Sequence, residues 1–392
     1  MKNEVQRIYL DFSATTPVDP DVTEAMLPYF TRSFGNASSI HAFGRETKII
    51  LEESREKVAR AIGAKSGEIF FTSGGTEADN HALFGVARAA KRSHGKAHII
   101  VSSVEHHAVL RSAEYLADNG FEVTLLPVDE FGKVDTDEIR EAIGPRTSLV
   151  SVMHANNEIG TIQPVEEIAK IAHDHGIVFH SDTVQSVGKI PVNVDSLSID
   201  ILAISAHKFY GPKGIGAIYI RKGVDVDSYF HGGAQERNRR AGTENIPLVA
   251  GFAKAIETSQ RELEKNAVHL NGLKKELKRL LSERFDSLLF NGHPVDCLPN
   301  IVNVSFDSTK TDIDGEALLL NMDLHGVAVT SGSACSSGSM EPSHVLHAIG
   351  RDIKTARASI RFSMGKNTTL DEIEKAAVIL ERVARQSTAA SV

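Results

Sequence analysis

The sequence predicts an α/β fold in which a large, mostly parallel sheet carries helices on both faces and a smaller α+β domain follows it. Three observations predict this fold. The chain has 392 residues, which is more than one ordinary core accommodates. Short apolar runs alternate with amphipathic stretches from about residue 68 to residue 221. After Pro247 a long charged stretch with helical periodicity replaces this alternation.

The alternating region is predicted to form the large sheet. Its strands are the apolar runs 68–72, 98–104, 122–128, 148–153, 177–181, 199–205 and 216–220. The helices between them include the amphipathic stretches 76–90, 108–119 and 164–175. Strands that alternate with helices form a mostly parallel sheet, and the ligands of such sheets bind at the carboxyl ends of the strands.

The region after Pro247 is predicted to be a second, smaller domain. Its elements are a long helix at 248–285, a strand at 300–306, a helix at 314–322, strands at 327–330 and 358–363, and a helix at 370–385. Lysine and arginine are frequent at 273–284, where interleaved glutamates favour a solvated helix face over a partner surface. We place the large domain at 17–260 and the small domain at 1–16 together with 261–392.

The composition is that of a globular protein, with 41% hydrophobic and 24% charged residues. No apolar run reaches the roughly 18 residues of a spanning helix, and residues 1–16 show no secretory signal. We therefore expect a cytoplasmic protein without a membrane partner. A net charge of −8 argues against a nucleic-acid partner. The two cysteines, Cys297 and Cys335, allow one bridge, but free thiols in a reducing compartment are the favoured interpretation.

Small residues follow the first predicted strand, where 71–77 reads Phe-Thr-Ser-Gly-Gly-Thr-Glu. A turn of small residues between a strand and a helix directs backbone N–H groups at an anion, and Thr76 adds a hydroxyl donor. The Gly-Lys-Ser/Thr of a Walker A loop does not follow. This stretch therefore indicates either a phosphate site or an ordinary helix start. The glycine-rich stretch 211–216 precedes a strand, so we interpret it as a turn.

Two polar residues stand where predicted strands end. Asp182 follows the strand 177–181, where a carboxylate either caps the next turn or meets a cation such as a protonated pyridine nitrogen. Lys208 follows the strand 199–205 and is either a surface lysine or a reactive amine, with Ser205 and His207 nearby as phosphate donors. An amine, a carboxylate and phosphate donors together are what a pyridoxal-phosphate site needs.

Several motifs match one known family. They are Tyr-Leu-Asp-Phe-Ser-Ala-Thr-Thr-Pro at 9–17, Asn-Ala-Ser-Ser at 36–39, Glu-His at 105–106, Asn-Asn-Glu-Ile-Gly at 156–160, Arg-Ala-Gly-Thr-Glu-Asn at 240–245, Ser-Gly-Ser-Ala-Cys-Ser-Ser at 331–337, Glu-Pro-Ser-His-Val-Leu at 341–346 and Ser-Ile-Arg-Phe-Ser at 359–363. Through them nearly the whole chain resembles the cysteine desulfurases of the bacterial NifS/IscS type, within the class V aminotransferases. The resemblance implies the PLP-dependent transferase fold type I, pyridoxal 5′-phosphate as cofactor and L-cysteine as substrate.

The resemblance implies a role for each residue around the cofactor. Lys208 forms the Schiff base, His106 stacks on the ring, and Asp182 pairs with the pyridine nitrogen. Gln185 reaches the phenolic oxygen of the ring, and Asn157 lies against the cofactor. The phosphate is held by Gly75, Thr76, Ser205, His207 and, across a homodimer, Thr243 of the partner subunit.

The resemblance also implies how the substrate is handled. Arg361 and Asn36 bind its carboxylate, and Cys335, on a loop at about 328–341, accepts its sulfur. Cys335, Lys208 and His106 are then the catalytic residues. The products are L-alanine and a persulfide, whose sulfur serves tRNA thiolation or passes to an iron–sulfur scaffold or another acceptor protein. No resident metal is implied, although Cys335 can transiently ligate a transferred iron–sulfur cluster.

Three rival functions stay open at this point. A selenocysteine lyase shares the cofactor chemistry. An aminotransferase uses the same lysine but leaves Cys335 unexplained. A catalytically silent sulfur carrier or scaffold subunit is disfavoured because Lys208, Asp182 and His106 are all present. Structural roles are favoured for His107, His173, His175 and Cys297.

Overall fold

The computed structural model describes residues 7–332 and 342–389. The strands are β1 (Ile8–Tyr9), β2 (Ile69–Thr72), β3 (His98–Ser102), β4 (Glu122–Leu126), β5 (Thr147–Ser151), β6 (Val178–Asp182), β7 (Ile201–Ser205), β8 (Gly216–Ile220), β9 (Leu288–Asn291), β10 (Ile301–Phe306), β11 (Val327–Ala328) and β12 (Ser359–Ser363). The helices are α1 (Pro20–Met26), α2 (Pro28–Thr31), α3 (Ala42–Ala61), α4 (Gly75–His94), α5 (His107–Asp118), α6 (Thr136–Ala142), α7 (Val165–Asp174), α8 (Ile246–Arg261), α9 (Leu263–Arg284), α10 (Gly315–Leu324), α11 (His344–Ala348), α12 (Ile353–Arg357) and α13 (Leu370–Ala389). None of the described helices combines the length and the apolar character that crossing a membrane requires.

The largest sheet has seven strands in the order β2-β8-β7-β6-β5-β3-β4. Neighbours from β7 to β4 are parallel, whereas β8 is antiparallel to both β7 and β2. The mostly parallel sheet predicted from the sequence is therefore confirmed. Every residue of β2, β3, β5, β7 and β8 is buried, as expected for a sheet that helices cover on both faces.

Four strands of this sheet bring polar residues to one edge. Because β8 reverses direction between β2 and β7, the strands β2, β3, β6 and β7 all end at the same edge. The start of α4 follows β2, and His106 follows β3 by a short turn. Asp182 ends β6, and Lys208 comes directly after β7. This is the edge at which the sequence predicts a ligand.

The second region contains an antiparallel sheet of order β12-β10-β9. Strand β1 joins this region from the N-terminal end of the chain by pairing in parallel with β11. The two regions have separate main cores, of which the first includes Ile256 and the second includes Ile8, Leu270 and Leu277. The domain boundaries at 16/17 and 260/261 stay a prediction.

The single helix predicted over 248–285 is wrong, because two helices occupy this stretch. Helix α8 ends at Arg261 and α9 begins at Leu263, with Glu262 between them at φ −98° and ψ 1°. Phe252 of α8 packs into the first core, whereas Leu277 of α9 packs into the second. The break lets each helix turn its apolar face towards a different core. The strand predicted at 327–330 is regular only over Val327–Ala328.

Candidate active site

A cavity of about 400 Å³ opens at the carboxyl edge of the large sheet. Its wall brings together most of the residues that the sequence predicts for the site. They are Gly75, Thr76, His106, Asn157, Asp182, Gln185, Ser205, His207, Lys208 and Arg361. These residues come from both regions of the chain, so the cavity lies where the two regions meet.

Three predicted residues are not in the described wall of the cavity. Asn36 is exposed, and its Oδ1 accepts a hydrogen bond from the backbone N–H of Ser38 at 2.8 Å. Thr243 lies in a separate pocket of about 230 Å³. Cys335 lies outside the described residues. Gly332, the last described residue before it, and His344, two positions after description resumes at Pro342, both line the cavity.

The Lys208 amine is held by two backbone carbonyl groups. Lys208 ends a short 3₁₀ turn directly after β7, and its Nζ donates to the oxygens of Ser13 at 2.7 Å and Ala14 at 2.8 Å. Burial and the positive charge of Arg361 lower the pKa of Lys208 to about 8. More neutral amine is therefore present near neutral pH than for an ordinary lysine, which favours nucleophilic attack on a carbonyl group.

Asp182 ends β6 and is only 5% exposed. Its Oδ1 accepts a hydrogen bond from the backbone N–H of Val184 at 2.8 Å, so this oxygen caps the following turn. The side chain also lines the cavity, and burial raises its pKa to about 6. A buried carboxyl group of this kind is stabilised in its charged form by a cation in the cavity, such as a protonated ring nitrogen.

His106 stands directly before α5, with its ring open to the cavity. Its Nδ1 accepts a hydrogen bond from the backbone N–H of Ala108 at 3.1 Å, which leaves Nε2 as the protonated nitrogen of the neutral ring. The surrounding protein and the charge of Lys208 lower the pKa of His106 to about 4. A neutral, planar ring at the cavity wall is suited to stacking on an aromatic cofactor.

The start of α4 has the features of an anion site. The first backbone N–H groups of a helix have no partner within it, and Gly74 before them has no side chain to cap them. A Cβ atom on Gly75 would lie 2.7 Å from Cγ2 of Val184, so the turn has no room for a side chain there. The Ser205 hydroxyl oxygen faces the turn, 3.8 Å from where a Cβ atom on Gly74 would stand.

His207 completes the donors around this turn. Its Nδ1 lies 3.1 Å from the hydroxyl oxygen of Thr15, and burial lowers its pKa to about 4, so the ring is neutral. A neutral imidazole still offers one N–H group. Together with the Thr76 hydroxyl, which also lines the cavity, His207 provides uncharged donors of the kind that bind a phosphate.

Arg361, on β12, is 4% exposed and is held from two sides. Its Nη1 donates to the backbone oxygen of Asn157 at 2.8 Å, and its Nη2 donates to Oδ1 of Asp11 at 2.7 Å. Its Nε is buried without a hydrogen-bond partner among the described residues. The guanidinium group therefore has unused donors in a fixed orientation, which suits a carboxylate ligand.

Some residues of the site were not predicted from the sequence. Lys189 is one of them: its Nζ donates to Oε1 of Gln185 at 3.1 Å, while Nε2 of Gln185 donates to the backbone oxygen of Ser13 at 2.9 Å. Lys189 thereby fixes which way the Gln185 amide points, and burial lowers its own pKa to about 7. Its signal in the sequence is a single lysine in an otherwise uncharged stretch, 183–190. Lys189 lies behind the wall, and the unpredicted residues of the wall itself include Asp11, Ser13, Asp79, Glu158 and His344.

The cavity residues fit pyridoxal phosphate, the cofactor that the sequence resemblance implies. Uncharged donors, a buried carboxyl group and an amine match the phosphate, the ring nitrogen and the aldehyde of that molecule. Asp79, His106 and Asp182 each offer one potential metal-ligating atom, and these three atoms lie within 4.8 Å of one another. In the described ranges 7–332 and 342–389, this cluster comes closest to a metal-binding set. Because Asp182 and His106 suit the cofactor ring, we assign this cluster to the cofactor.

Known proteins share this fold and nearly the whole length of the chain. The family Aminotransferase class-V matches residues 8–376. The cysteine desulfurase IscS of Dictyoglomus turgidum is 53% identical over 383 residues, which cover 98% of this chain and 95% of that protein. A solved NifS-like protein has a TM-score of 0.90 and 38% identity, covering 97% of this chain and 100% of its own. The structure of SspA in complex with cysteine has a TM-score of 0.80 and 35% identity, covering 92% of this chain and 100% of its own.

Proposed function

The chain belongs to the class-V aminotransferase family, and we propose that it is a cysteine desulfurase that converts L-cysteine to L-alanine and holds the sulfur on Cys335. Its cofactor is pyridoxal 5′-phosphate. The observation that carries the proposal is that Lys208, Asp182 and Arg361 line one cavity. Relatives named cysteine desulfurase that match nearly the whole chain support the same reaction.

The large-sheet residues hold the cofactor in this proposal. When bound, pyridoxal phosphate supplies an aldehyde that forms an imine with an amine, and a ring that takes up the electron pair left when a substrate loses its α-proton. The Asp182 carboxylate accepts a hydrogen bond from the ring nitrogen, and His106 stacks on the ring. Gln185 donates to the phenolic oxygen, and Asn157 lies against the ring. The phosphate is bound by the N–H group of Gly75 and by Thr76, Ser205 and His207.

Arg361 and Lys208 act on the substrate. The unused N–H groups of Arg361 bind the carboxylate of cysteine, which orients its α-carbon relative to Lys208. With cofactor and substrate in the cavity, the Lys208 Nζ would accept the α-proton of cysteine as a general base. The lowered pKa of Lys208 favours this role. Asn36, the other predicted carboxylate ligand, is exposed outside the cavity wall, so carboxylate binding depends chiefly on Arg361.

Cys335 accepts the sulfur. It follows the cavity residue Gly332 by only three positions in the sequence, so it is close along the chain to the wall of the cavity. The Cys335 thiolate attacks the sulfur atom of the substrate. An S–S bond forms, the C–S bond of the substrate breaks, and the electron pair left on the β-carbon is protonated. Return of the α-proton from the Lys208 ammonium group to the α-carbon then gives L-alanine.

A homodimer completes the phosphate site in this proposal. Within its own chain Thr243 lies in a different pocket from the cofactor residues, so it is available to the cavity of a second copy. Thr243 of the partner subunit then adds a hydroxyl donor to the phosphate. Exposed aromatic side chains such as Phe34 and Phe43, whose ring centroids lie 5.9 Å apart, provide apolar surface for such an interface.

The sulfur on Cys335 is passed on to an acceptor protein. A persulfide sulfur is electrophilic and is handed to another thiolate by exchange, which suits an iron–sulfur scaffold protein or a carrier for tRNA thiolation. We place the reaction in the cytoplasm, where reducing conditions keep Cys297 and Cys335 as thiols.

The decisive experiment follows the sulfur. The purified protein, loaded with pyridoxal phosphate, should convert L-cysteine to L-alanine, and mass spectrometry after brief exposure should find one added sulfur on Cys335. Cys297 serves as the internal control, because it should stay unmodified. Sulfur on Cys297, or turnover to pyruvate or a keto acid instead of alanine, would exclude the proposed function. A large preference for L-selenocysteine would make the chain a selenocysteine lyase.

A further inference from the structure

Two buried polar atoms lie unpaired behind Asp182. His180 and Asp182 are two residues apart on β6, so their side chains point to the same face of the sheet, the face that α4 covers. His180 is 0% exposed, and Asp79 on α4 is 1% exposed. Nε2 of His180 and Oδ1 of Asp79 have no regular hydrogen-bond partner among the described residues. Because a buried polar atom without a partner is costly, this pair requires an explanation.

The two unpaired atoms face each other. Nε2 of His180 and Oδ1 of Asp79 are 3.5 Å apart, so a small movement or one shared proton joins them in a hydrogen bond. The other ring nitrogen of His180 already lies 2.8 Å from the hydroxyl oxygen of Ser151. Asp79 also lines the cavity, with a carboxyl oxygen within 4.8 Å of one in Asp182. Asp79 therefore stands between His180 and the carboxyl group that serves the ring nitrogen.

The charge states of Asp79, His180 and Asp182 indicate which of these side chains carries a proton. Burial raises the pKa of Asp79 well above its usual value, which favours its protonated form, and burial lowers the pKa of His180 to about 3, so the His180 ring is neutral. Glu105, the other buried acid nearby, has a pKa raised to about 8 and is already bonded by the Ser102 hydroxyl group. Two buried carboxyl groups this close do not both ionise.

Asp182 is the carboxyl group that carries the charge. It accepts the N–H of Val184 and faces the cation Lys208, and both lower its pKa relative to burial alone. Its remaining titratable neighbour in the cluster is His106, which is neutral. Asp79 then keeps a proton, for which the neutral His180 Nε2 is the acceptor within reach.

We propose that His180 is a positioning residue that holds the Asp79 proton away from Asp182, so that the Asp182 carboxylate stays fully available to the cofactor ring nitrogen. This inference rests on the role given to Asp182 in the proposed function. Without His180 the Asp79 hydroxyl turns to Asp182, and a carboxylate that accepts a bond from an acid is a weaker partner for the ring. Asp79 and His180 act through Asp182 and do not themselves touch the reacting atoms.

The test measures the ring nitrogen directly. Pyridoxal phosphate labelled with ¹⁵N in the ring is bound to the parent protein and to Asp182→Asn, Asp79→Asn, His180→Leu and the double variant Asp79→Leu/His180→Leu. The ¹⁵N chemical shift reports protonation of the ring nitrogen, and a titration gives the cofactor dissociation constant. Thermal unfolding of each cofactor-free variant checks that it is folded.

The inference predicts a distinctive order of effects. Asp182→Asn should weaken cofactor binding about 10- to 100-fold and deprotonate the ring nitrogen, because one charge-assisted bond is lost. His180→Leu should weaken binding about tenfold and move the ¹⁵N shift in the same direction. Asp79→Asn, which imitates the protonated acid, should stay within about threefold of the parent. The double variant should recover most of the loss of His180→Leu, because it removes the competing donor.

Two results would overturn this inference alone. One is a parental ¹⁵N shift in His180→Leu, and the other is an Asp79→Asn variant as defective as Asp182→Asn, which would make Asp79 the charged partner. An unchanged ring nitrogen in Asp182→Asn would instead overturn the role of Asp182 and the inference with it. As a control, a cofactor analogue with C–H in place of the ring nitrogen should bind His180→Leu and the parent with equal affinity.

Discussion

The two ends of the cavity are built in different ways. The cofactor end uses residues at the ends of neighbouring strands, such as Asp182 on β6 and Lys208 after β7. The substrate end joins Arg361 to Asp11 across 350 positions of the chain. The strand ends of the first arrangement are visible in the sequence, whereas the pairing in the second exists only in the folded chain. We therefore expect variants at the first end to act chiefly on the bound cofactor, and variants at the second to act chiefly on substrate handling.

The largest effect is expected from the amine at the cofactor end. Lys208→Ala should abolish alanine production and the visible band of the lysine-bound cofactor, although cofactor still binds through Thr76, Ser205 and His207. Absorption spectra and an alanine assay measure both. Lys213→Ala is the matched control, since Lys213 is an exposed lysine of the adjacent turn. Parental turnover in Lys208→Ala would make Lys213 the next candidate.

Loss of the Cys335 thiol should abolish sulfur transfer and leave cofactor binding unchanged. Cys335→Ser should reduce sulfide and alanine to background, because a hydroxyl group is not ionised at neutral pH and attacks sulfur poorly. The resting spectrum and the spectral change on adding L-cysteine should both survive, since neither needs the thiol. Cys297→Ser, measured beside it, should behave like the parent. An active Cys335→Ser enzyme would contradict the persulfide assignment.

Arg361→Ala should leave the resting spectrum unchanged while raising the KM for cysteine about 100-fold. The reason is that the substrate carboxylate loses a charge-assisted partner worth roughly 1.5–3 kcal/mol. Steady-state kinetics and a spectrum at neutral pH give the two readouts. Arg357→Ala, an exposed arginine just before the same strand, is the control. An altered resting spectrum with a normal KM would assign Arg361 to a structural role.

A shared phosphate site predicts rescue between two inactive subunits. Mixed Lys208→Ala and Thr243→Ala chains form hybrids in which one site carries both lesions and the other carries none. Random mixing should restore about a quarter of the parental sites, because half the dimers are hybrids with one intact site. Each variant alone, refolded in the same way, is the control. A fully active monomer in light scattering would refute the shared site.

The smallest expected effect tests whether the two ends are electrically independent. The pKa of Lys208 in the cofactor-free protein is lowered to about 8, so the rate of cofactor capture should rise with pH through about 8 as the amine loses its proton. The charge of Arg361 contributes to this lowering. Arg361→Ala should therefore move the midpoint upward by less than about one pH unit. Stopped-flow absorbance measures it, and an unmoved midpoint would show that the two ends do not interact.

The alternation of strands and helices sufficed to predict the large sheet, because buried parallel strands are short apolar runs with little ambiguity. The reversed direction of β8 was not visible, since its apolar run looks the same in either direction. Strands β1 and β9 were not predicted, because they are short and owe their existence to partners far away in the chain. Long-range pairing of this kind leaves no local pattern.

The site residues with a local sequence pattern were predicted, whereas those defined by long-range contacts were not. Asp182 and Lys208 were predicted because polar residues at the ends of apolar strands are conspicuous and the motifs around them resemble a known family. Asp79 was not predicted, because it lies within a helix and its contact with His180, on a facing strand, forms only in the folded chain. Lys189 was missed for a similar reason, since only the folded turn brings it to the Gln185 amide.

The pairing of β1 with β11 has a consequence for the synthesis of the protein on the ribosome. Early residues of the chain contact residues that are synthesised much later. The backbone N–H of Ser13 donates to the Ser363 hydroxyl group, and Asp11 pairs with Arg361. At typical elongation rates this delay is on the order of tens of seconds. The Ser13 carbonyl that holds the Lys208 amine is therefore fixed only after β12 has emerged. We expect the nascent large domain to capture cofactor poorly, and the complete site to form only after β12 has been synthesised.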